Sequence, residues 1–102
     1  MKQTMERKLT AILSADVKGY SRLMGEDEEG TLHRLTTYHE AIANVIVQHR
    51  GRVVNSVGDN VLAEFVSAVD AVQGAWAIQN DLKARNAPLP AERRMELRIG
   101  IN

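Results

Sequence analysis

Two aspartates, Asp16 and Asp59, are the residues of this sequence with the clearest potential for chemistry. Asp16 follows the apolar run LTAILSA, and Asp59 stands between a glycine and an asparagine. Two carboxylates that lie close together repel each other unless a cation or a proton separates them. A pair of oxygen ligands suits Mg²⁺ or Mn²⁺, which keep waters and accept substrate phosphates as further ligands. If folding brings the two aspartates together, they can hold ions that serve phosphate chemistry.

The turn from Lys18 to Ser21 offers a second chemical feature, because it can accept an anion. Gly19 lets the backbone approach a ligand closely, and its neighbours offer successive N–H groups ahead of a short helical turn predicted for Tyr20 to Met24. Each of these features also has an ordinary structural interpretation. Aspartate is common in caps and turns, and a lysine is usually solvated.

Composition and charge narrow the classes of function. The 102 residues are 44% hydrophobic, which suits one domain or part of one. The 13 basic and 13 acidic residues cancel, which argues against a nucleic-acid or membrane-surface binder. Cysteine is absent, which excludes zinc–thiolate sites and thiol nucleophiles. His33, His39 and His49 lack a zinc-type ligand set, so we expect surface or partly buried polar residues.

Targeting and membrane signals are not recognisable in the sequence. The charged start MKQTMERK leads directly into a strand-like run, and no apolar stretch approaches the roughly 20 residues of a membrane span. We therefore expect a cytoplasmic segment without membrane contact.

The elements that must position the candidate residues follow from the spacing of the apolar side chains. The sequence predicts strands over Arg7 to Ala15, Arg52 to Val57, Val61 to Phe65 and Met95 to Ile101. It predicts long helices over Thr31 to His49 and Ser67 to Arg85. Gly58-Asp59-Asn60 is a good hairpin connection between the second and third strands, because these residues tolerate the backbone angles of tight turns.

The same patterns predict the inward faces and the ends of the helices. The inward side chains of the first long helix are predicted to be Leu32, Leu35, Ile42, Val45 and Ile46. Those of the second are predicted to be Ala68, Val72, Ala75, Trp76, Gln79 and Leu82. Ser67 is the predicted N-cap of the second helix, and Gly51 is the predicted glycine after the end of the first.

The order of elements is the β-α-β-β-α-β ferredoxin-like pattern. It predicts an α+β fold in which a four-stranded antiparallel sheet carries the helices on one face. In this fold the first strand lies beside the hairpin strands, so Asp16 and Asp59 can meet although they are far apart in the sequence.

Four segments together resemble the catalytic domain of class III adenylate/guanylate cyclases of the bacterial soluble type. LSADVKGYSRLM resembles the first metal-binding segment of that family, and VVNSVGDNVLAEF resembles the hairpin that carries the second. AVDAVQGAWAIQNDL is similar to the helix that follows, and LRIGIN to the next strand. The resemblance implies an N-terminal tail over residues 1–6 and, over residues 7–102, the N-terminal part of a cyclase catalytic domain.

This resemblance implies specific roles for the candidate residues. Asp16, Asp59 and the backbone carbonyl of Val17 would bind two Mg²⁺ or Mn²⁺ ions. The turn would contact the substrate triphosphate through Lys18, Gly19, Tyr20 and Ser21. The ribose 3′-hydroxyl of ATP would then attack the α-phosphorus and release pyrophosphate, which gives 3′,5′-cyclic AMP for intracellular signalling. The family works as a homodimer with shared active sites, so ATP and a second copy are the expected partners.

Two departures from the family pattern leave alternatives open. The sequence ends at Asn102, before the Asp, Asn and Arg that the family uses for base recognition and transition-state stabilisation, so we expect little or no turnover by this segment alone. Asn55 stands where members that use ATP often have lysine; its amide can contact a purine edge, which leaves GTP open as substrate. A non-catalytic cyclase-like domain for nucleotide binding or dimerisation is the main alternative. A plain regulatory module is another, whereas SVGDNVLAEF lacks the hairpin motif of diguanylate cyclases.

Overall fold

The computed structural model describes residues 10–102 of the chain. Its strands are β1 (Ala11–Val17), β2 (Gly51–Val57), β3 (Asn60–Phe65) and β4 (Leu97–Ile101). Its helices are α1 (Tyr20–Glu26), α2 (Glu28–Gln48) and α3 (Ala68–Asn86), with one 3₁₀ turn at Ala91–Arg93. This order confirms the predicted β-α-β-β-α-β fold. The predicted tail and the first residues of the predicted strand, 7–9, lie outside the described residues.

A four-stranded sheet of order β2-β3-β1-β4 forms the centre of the fold, and every neighbouring pair of strands is antiparallel. β1 is an inner strand, and its alternate residues from Ala11 to Val17 are buried beneath the helices. The intervening positions, which include Asp16, face the other side of the sheet. The predicted antiparallel sheet with helices on one face is therefore confirmed.

Helix α2 begins three residues earlier than predicted, because Asp27 caps it. The Asp27 side chain accepts a hydrogen bond from the Gly30 N–H at 3.1 Å, and Glu28 and Glu29 in the first turn favour the positive end of the helix dipole. The predicted inward positions of α2 are confirmed at Leu35, Ile42 and Ile46, which are buried. The prediction for Leu32 is wrong, since its side chain is 43% exposed.

The predicted role of Gly51 at the end of α2 is also wrong. Arg50 takes the left-handed conformation, with φ 63°, and Gly51 is the first residue of β2. What requires glycine at position 51 is space, because a Cβ there would lie 2.7 Å from the ring of Phe65. This glycine therefore lets a core aromatic side chain pack against the start of an edge strand.

Helix α3 turns a different face to the sheet from the one that we predicted. Ser67 caps it as predicted, and its side chain accepts a hydrogen bond from the Asp70 N–H at 3.1 Å. The predicted core residues Val72 and Trp76 are 56% and 71% exposed, so this prediction is wrong. Small residues face the sheet instead, and a Cβ on Gly74 would lie 3.0 Å from the Phe65 ring. Besides Leu82, which was predicted correctly, the buried residues of α3 are Ala71, Gly74, Ile78 and Asn86.

A buried amide ties α2, α3 and the approach to β4 together. The Asn86 Oδ1 accepts hydrogen bonds from the Tyr38 hydroxyl at 2.7 Å and from the Met95 N–H at 3.1 Å. Its Nδ2 donates to the Met95 carbonyl at 2.8 Å. Burial raises the pKa of the Tyr38 phenol, against the lowering effect of nearby arginine charges. This network fixes the chain immediately before β4.

Within residues 10–102, no helix is both long enough and apolar enough to cross a membrane.

Candidate functional site

Asp59 reaches the end of β1 and fills a gap in its hydrogen bonding. The β1–β3 ladder ends at the pair Ala15 and Val61, so the N–H of Val17 lies beyond it. The Asp59 Oδ2 accepts that N–H at 3.0 Å from the hairpin turn. A buried or half-buried N–H requires such a partner. The structure therefore brings the Asp59 carboxylate to the residue next to Asp16, which joins the two predicted segments.

Asp16 lies within β1, one residue before its end, and pairs with a cation on the neighbouring strand. Asp16 and Arg98 stand opposite each other in the β1–β4 ladder. The Arg98 Nε donates to the Asp16 Oδ1 at 2.8 Å. This guanidinium places positive charge beside the Asp16 carboxylate. Arg98 could not be singled out from the sequence alone, because it becomes a neighbour of Asp16 only through the register of β1 and β4.

The donor set at this point fits a magnesium or manganese ion. Among residues 10–102, no cluster of three or more His, Cys, Asp or Glu side chains is arranged to hold a metal ion. The chain offers two carboxylates at this point, Asp16 and Asp59, and both are partly exposed. Mg²⁺ typically uses one or two carboxylates and completes its shell with waters and substrate phosphates. Structural zinc requires four protein ligands, which this arrangement does not offer.

The predicted phosphate-binding turn follows β1 directly. Gly19 has φ 65° and ψ 30°, a left-handed conformation that favours glycine. Lys18 is exposed, and its Nζ lies 3.4 Å from a carboxylate oxygen of Glu96. Ser21 is exposed at the start of α1, whereas the Tyr20 side chain packs against the core. Tyr20 is the first residue of α1, so its backbone N–H has no partner within the helix and is available to an anion at this turn.

The predicted base-recognition residue, Asn55, lies on the edge strand β2. The pairing of β2 with β3 shifts register between Val53 and Asn55. The Asn55 side chain is exposed and accepts a hydrogen bond from the neighbouring Ser56 N–H at 2.9 Å. Because β3 lies between β2 and β1, the strand that carries Asn55 does not pair with the strand that carries Asp16.

The three histidines occupy different environments. His33 and His39 lie on α2, and His49 follows its last residue. His33 is exposed, and the His49 ring lies 2.9 Å from the Val45 carbonyl. His39 lies beneath the hairpin, with its Nδ1 3.5 Å from the Ser56 Oγ. Burial lowers the pKa of the His39 imidazole, and the backbone and carboxylate of Asp59 oppose this shift. His39 is thus the histidine that adjoins the candidate site.

Comparison with known proteins identifies the family. The chain is 46% identical over 103 residues to "Putative adenylate cyclase 3" of Rhizobium meliloti (strain 1021), and the match covers 99% of this chain and 17% of that protein. The crystal structure of an adenylate/guanylate cyclase/hydrolase from Silicibacter pomeroyi is 43% identical with a TM-score of 0.84, covering 95% of this chain and 57% of the other. The guanylyl cyclase Cya2 is 25% identical with a TM-score of 0.79, covering 91% and 52%. No family model matches the chain.

Fold, site and similarity together define the class of protein. The chain belongs to the class III adenylate/guanylate cyclases and matches part of their catalytic domain. It is a nucleotidyl cyclase domain segment that spans just over half the length of the two solved cyclases described above, 57% and 52%.

Proposed function

We propose that this segment provides the metal and triphosphate part of a cytoplasmic adenylate cyclase that converts ATP into 3′,5′-cyclic AMP and pyrophosphate. One observation carries the proposal. The hydrogen bond from the Val17 N–H to the Asp59 Oδ2, 3.0 Å long, holds one carboxylate beside the residue that carries the other, Asp16. Asp16 and Asp59 would together supply the negative charge with which a pair of divalent ions is held.

Asp16, Asp59 and the Val17 carbonyl are the proposed ligands. In an antiparallel ladder the N–H and the C=O of one residue point to the same neighbouring strand. The Val17 carbonyl would therefore point toward the hairpin, as its N–H does. Two bound Mg²⁺ or Mn²⁺ ions would lower the pKa of the ribose 3′-hydroxyl and neutralise the charge of the leaving pyrophosphate. The chain itself forms no covalent bond in this scheme, because positioning and charge neutralisation are sufficient for phosphoryl-type transfer.

The turn after β1 is the proposed triphosphate contact. Gly19 exposes the backbone, and Lys18 and Ser21 add an ammonium group and a hydroxyl. Lys18 would exchange its exposed pairing with Glu96 for the phosphates, and this costs little because exposed ion pairs contribute only about 0–1 kcal/mol. The Tyr20 N–H completes the contact while its ring stays packed against the core.

ATP is the preferred substrate in this proposal because of the relative from Rhizobium meliloti, whose name describes an adenylate cyclase. GTP is the second candidate, since Cya2 is named a guanylyl cyclase and Asn55 offers an amide rather than an ammonium group. We also propose that two copies of the domain share the active sites, as the class III family implies. Asn55 would then recognise the base.

Calorimetric titration of the chain with Mn²⁺–ATP tests the proposal. Asp16→Asn and Asp59→Asn remove one charge each while keeping the shape of the side chain, and an asparagine oxygen can still accept the Val17 N–H. We expect each to weaken binding tenfold or more, about 1.4 kcal/mol. Asp81→Asn is the matched control, because Asp81 pairs with Arg85 on α3. A folded chain that binds equally well in all four forms would refute the proposed ligands and favour a non-catalytic domain.

A further inference from the structure

The hairpin that carries Asp59 projects from the fold at its turn. Residues Asn55 to Gly58 are all exposed, and a Cβ added to Gly58 would meet nothing within 4 Å. Gly58 also adopts a left-handed conformation with φ 58°. An exposed turn of this kind has few packing contacts to fix it. A carboxylate at its tip therefore needs specific contacts to stay at the end of β1.

His39 provides such a contact from beneath. It lies on α2 between the buried residues Tyr38 and Ala41 and is itself half-buried. Its Nδ1 lies 3.5 Å from the hydroxyl of Ser56 on β2. Its Nε2 is buried, and the ring interacts with the Asp59 backbone and with the charge of the Asp59 carboxylate. The ring thus meets β2 at Ser56 and the turn itself at Asp59.

The position of a half-buried histidine against the hairpin asks for an explanation. A buried polar group costs stability unless it is well paired, and an apolar residue at this position would avoid that cost. Burial favours the neutral ring, and this rigid ring stands on α2 against the Ser56 hydroxyl of the hairpin. We infer that His39 is a positioning residue, whose ring supports the hairpin so that the Asp59 carboxylate stays on the Val17 N–H.

This inference rests on the proposed function only in treating Asp59 as a metal ligand; the support of the hairpin itself can be measured without any ion. The readout is amide hydrogen exchange at Val17, followed by NMR in the full chain. The Asp59 carboxylate is the acceptor of that amide, so its protection reports the position of Asp59. Leu13 pairs within both β1 ladders and reports the integrity of the sheet.

We compare the original chain with His39→Leu, His39→Gln and the exposed control His33→Leu. We expect His39→Leu to speed exchange at Val17 tenfold or more while Leu13 stays protected, and His33→Leu to change neither. His39→Gln should retain part of the protection, because its amide can reach the hairpin with a polar group. Unchanged Val17 exchange in folded His39→Leu would overturn the inference. Should that variant unfold, His39→Gln decides. Faster Val17 exchange, which reports more frequent opening of the hairpin, supports the inference, and exchange equal to the original refutes it.

A Mn²⁺ titration of the same proteins separates this inference from the proposed function. If the original chain binds Mn²⁺, we expect His39→Leu to raise the Kd at least threefold and His33→Leu to leave it unchanged. If the original chain does not bind Mn²⁺, the proposed ligand set fails, whereas the exchange experiment still decides whether His39 positions the hairpin.

Discussion

Replacing Arg98 by glutamine should strengthen the binding of Mn²⁺ to the chain. In the structure the guanidinium donates to the Asp16 Oδ1 from the opposite position on β4. An ion that binds this oxygen must displace the guanidinium or share the carboxylate with it. Glutamine keeps the length and polarity of the side chain but removes the positive charge, so Asp16 becomes available.

The size of the effect follows from the exposure of the pair. The Nε–Oδ1 distance of 2.8 Å is that of a good charge-assisted hydrogen bond. The side chains of Arg98 and Asp16 are 67% and 35% exposed, so water screens their attraction, and we place the net contribution at about 0.5–1 kcal/mol. Since 1.4 kcal/mol corresponds to a tenfold change in affinity, Arg98→Gln should lower the Kd for Mn²⁺ roughly two- to fivefold.

Isothermal titration calorimetry with Mn²⁺ alone measures this change. Nucleotide is left out, because its phosphates attract any free guanidinium. Arg98→Lys keeps the charge and should bind Mn²⁺ much as the original chain does, and Arg93→Gln removes an exposed charge elsewhere. Urea unfolding checks that each variant is folded. Weaker or unchanged Mn²⁺ binding by folded Arg98→Gln would refute the competition between Arg98 and the ion for Asp16.

Three further predictions concern the frame that holds the site. Asn86→Ala leaves several buried polar groups unpaired and should lower the free energy of unfolding by about 2–4 kcal/mol, measured by urea denaturation; a loss below 0.5 kcal/mol would contradict the network. Burial holds the pKa of Tyr38 above 10.0 in the folded chain, so its contribution to stability is complete below pH 10 and declines as the pH rises further. Tyr38→Phe should therefore show a flatter dependence of stability on pH above 10. Gly51→Ala should cost about 1–3 kcal/mol by overpacking against Phe65, whereas Gly100→Ala, with open space around its Cβ, should not.

The order and type of the elements could be predicted from the sequence because long apolar patterns and turn residues act locally. The orientation of α3 could not, because the prediction followed side-chain size. Trp76 and Val72 are the larger apolar residues, but the Phe65 ring occupies the space over the sheet. A helix that packs on a large ring presents its small residues to it, here Ala71 and Gly74. Such a choice depends on a contact between distant segments.

The residues of the candidate site were likewise predictable only where local sequence marks them. Asp16 and Asp59 stand out in the sequence because of their local context, a strand end and a hairpin turn. Arg98 and His39 do not, because nothing local distinguishes them from ordinary surface residues. An alternating strand pattern that places an arginine opposite an aspartate is a signal that could have found Arg98, once the pairing of β1 and β4 is assumed.

The contact between Asp59 and the Val17 N–H affects how relatives of this chain should be interpreted. A relative without cyclase activity would still benefit from an acceptor at position 59, because the end of β1 would otherwise carry an unsatisfied donor. Selection for a sound hairpin alone could therefore preserve that aspartate. Asp16 is held by a side chain, Arg98, rather than by the backbone of the sheet. In a relative without catalysis, Asp16 and Arg98 would be free to change together. Position 16 is therefore the better indicator that catalysis is absent.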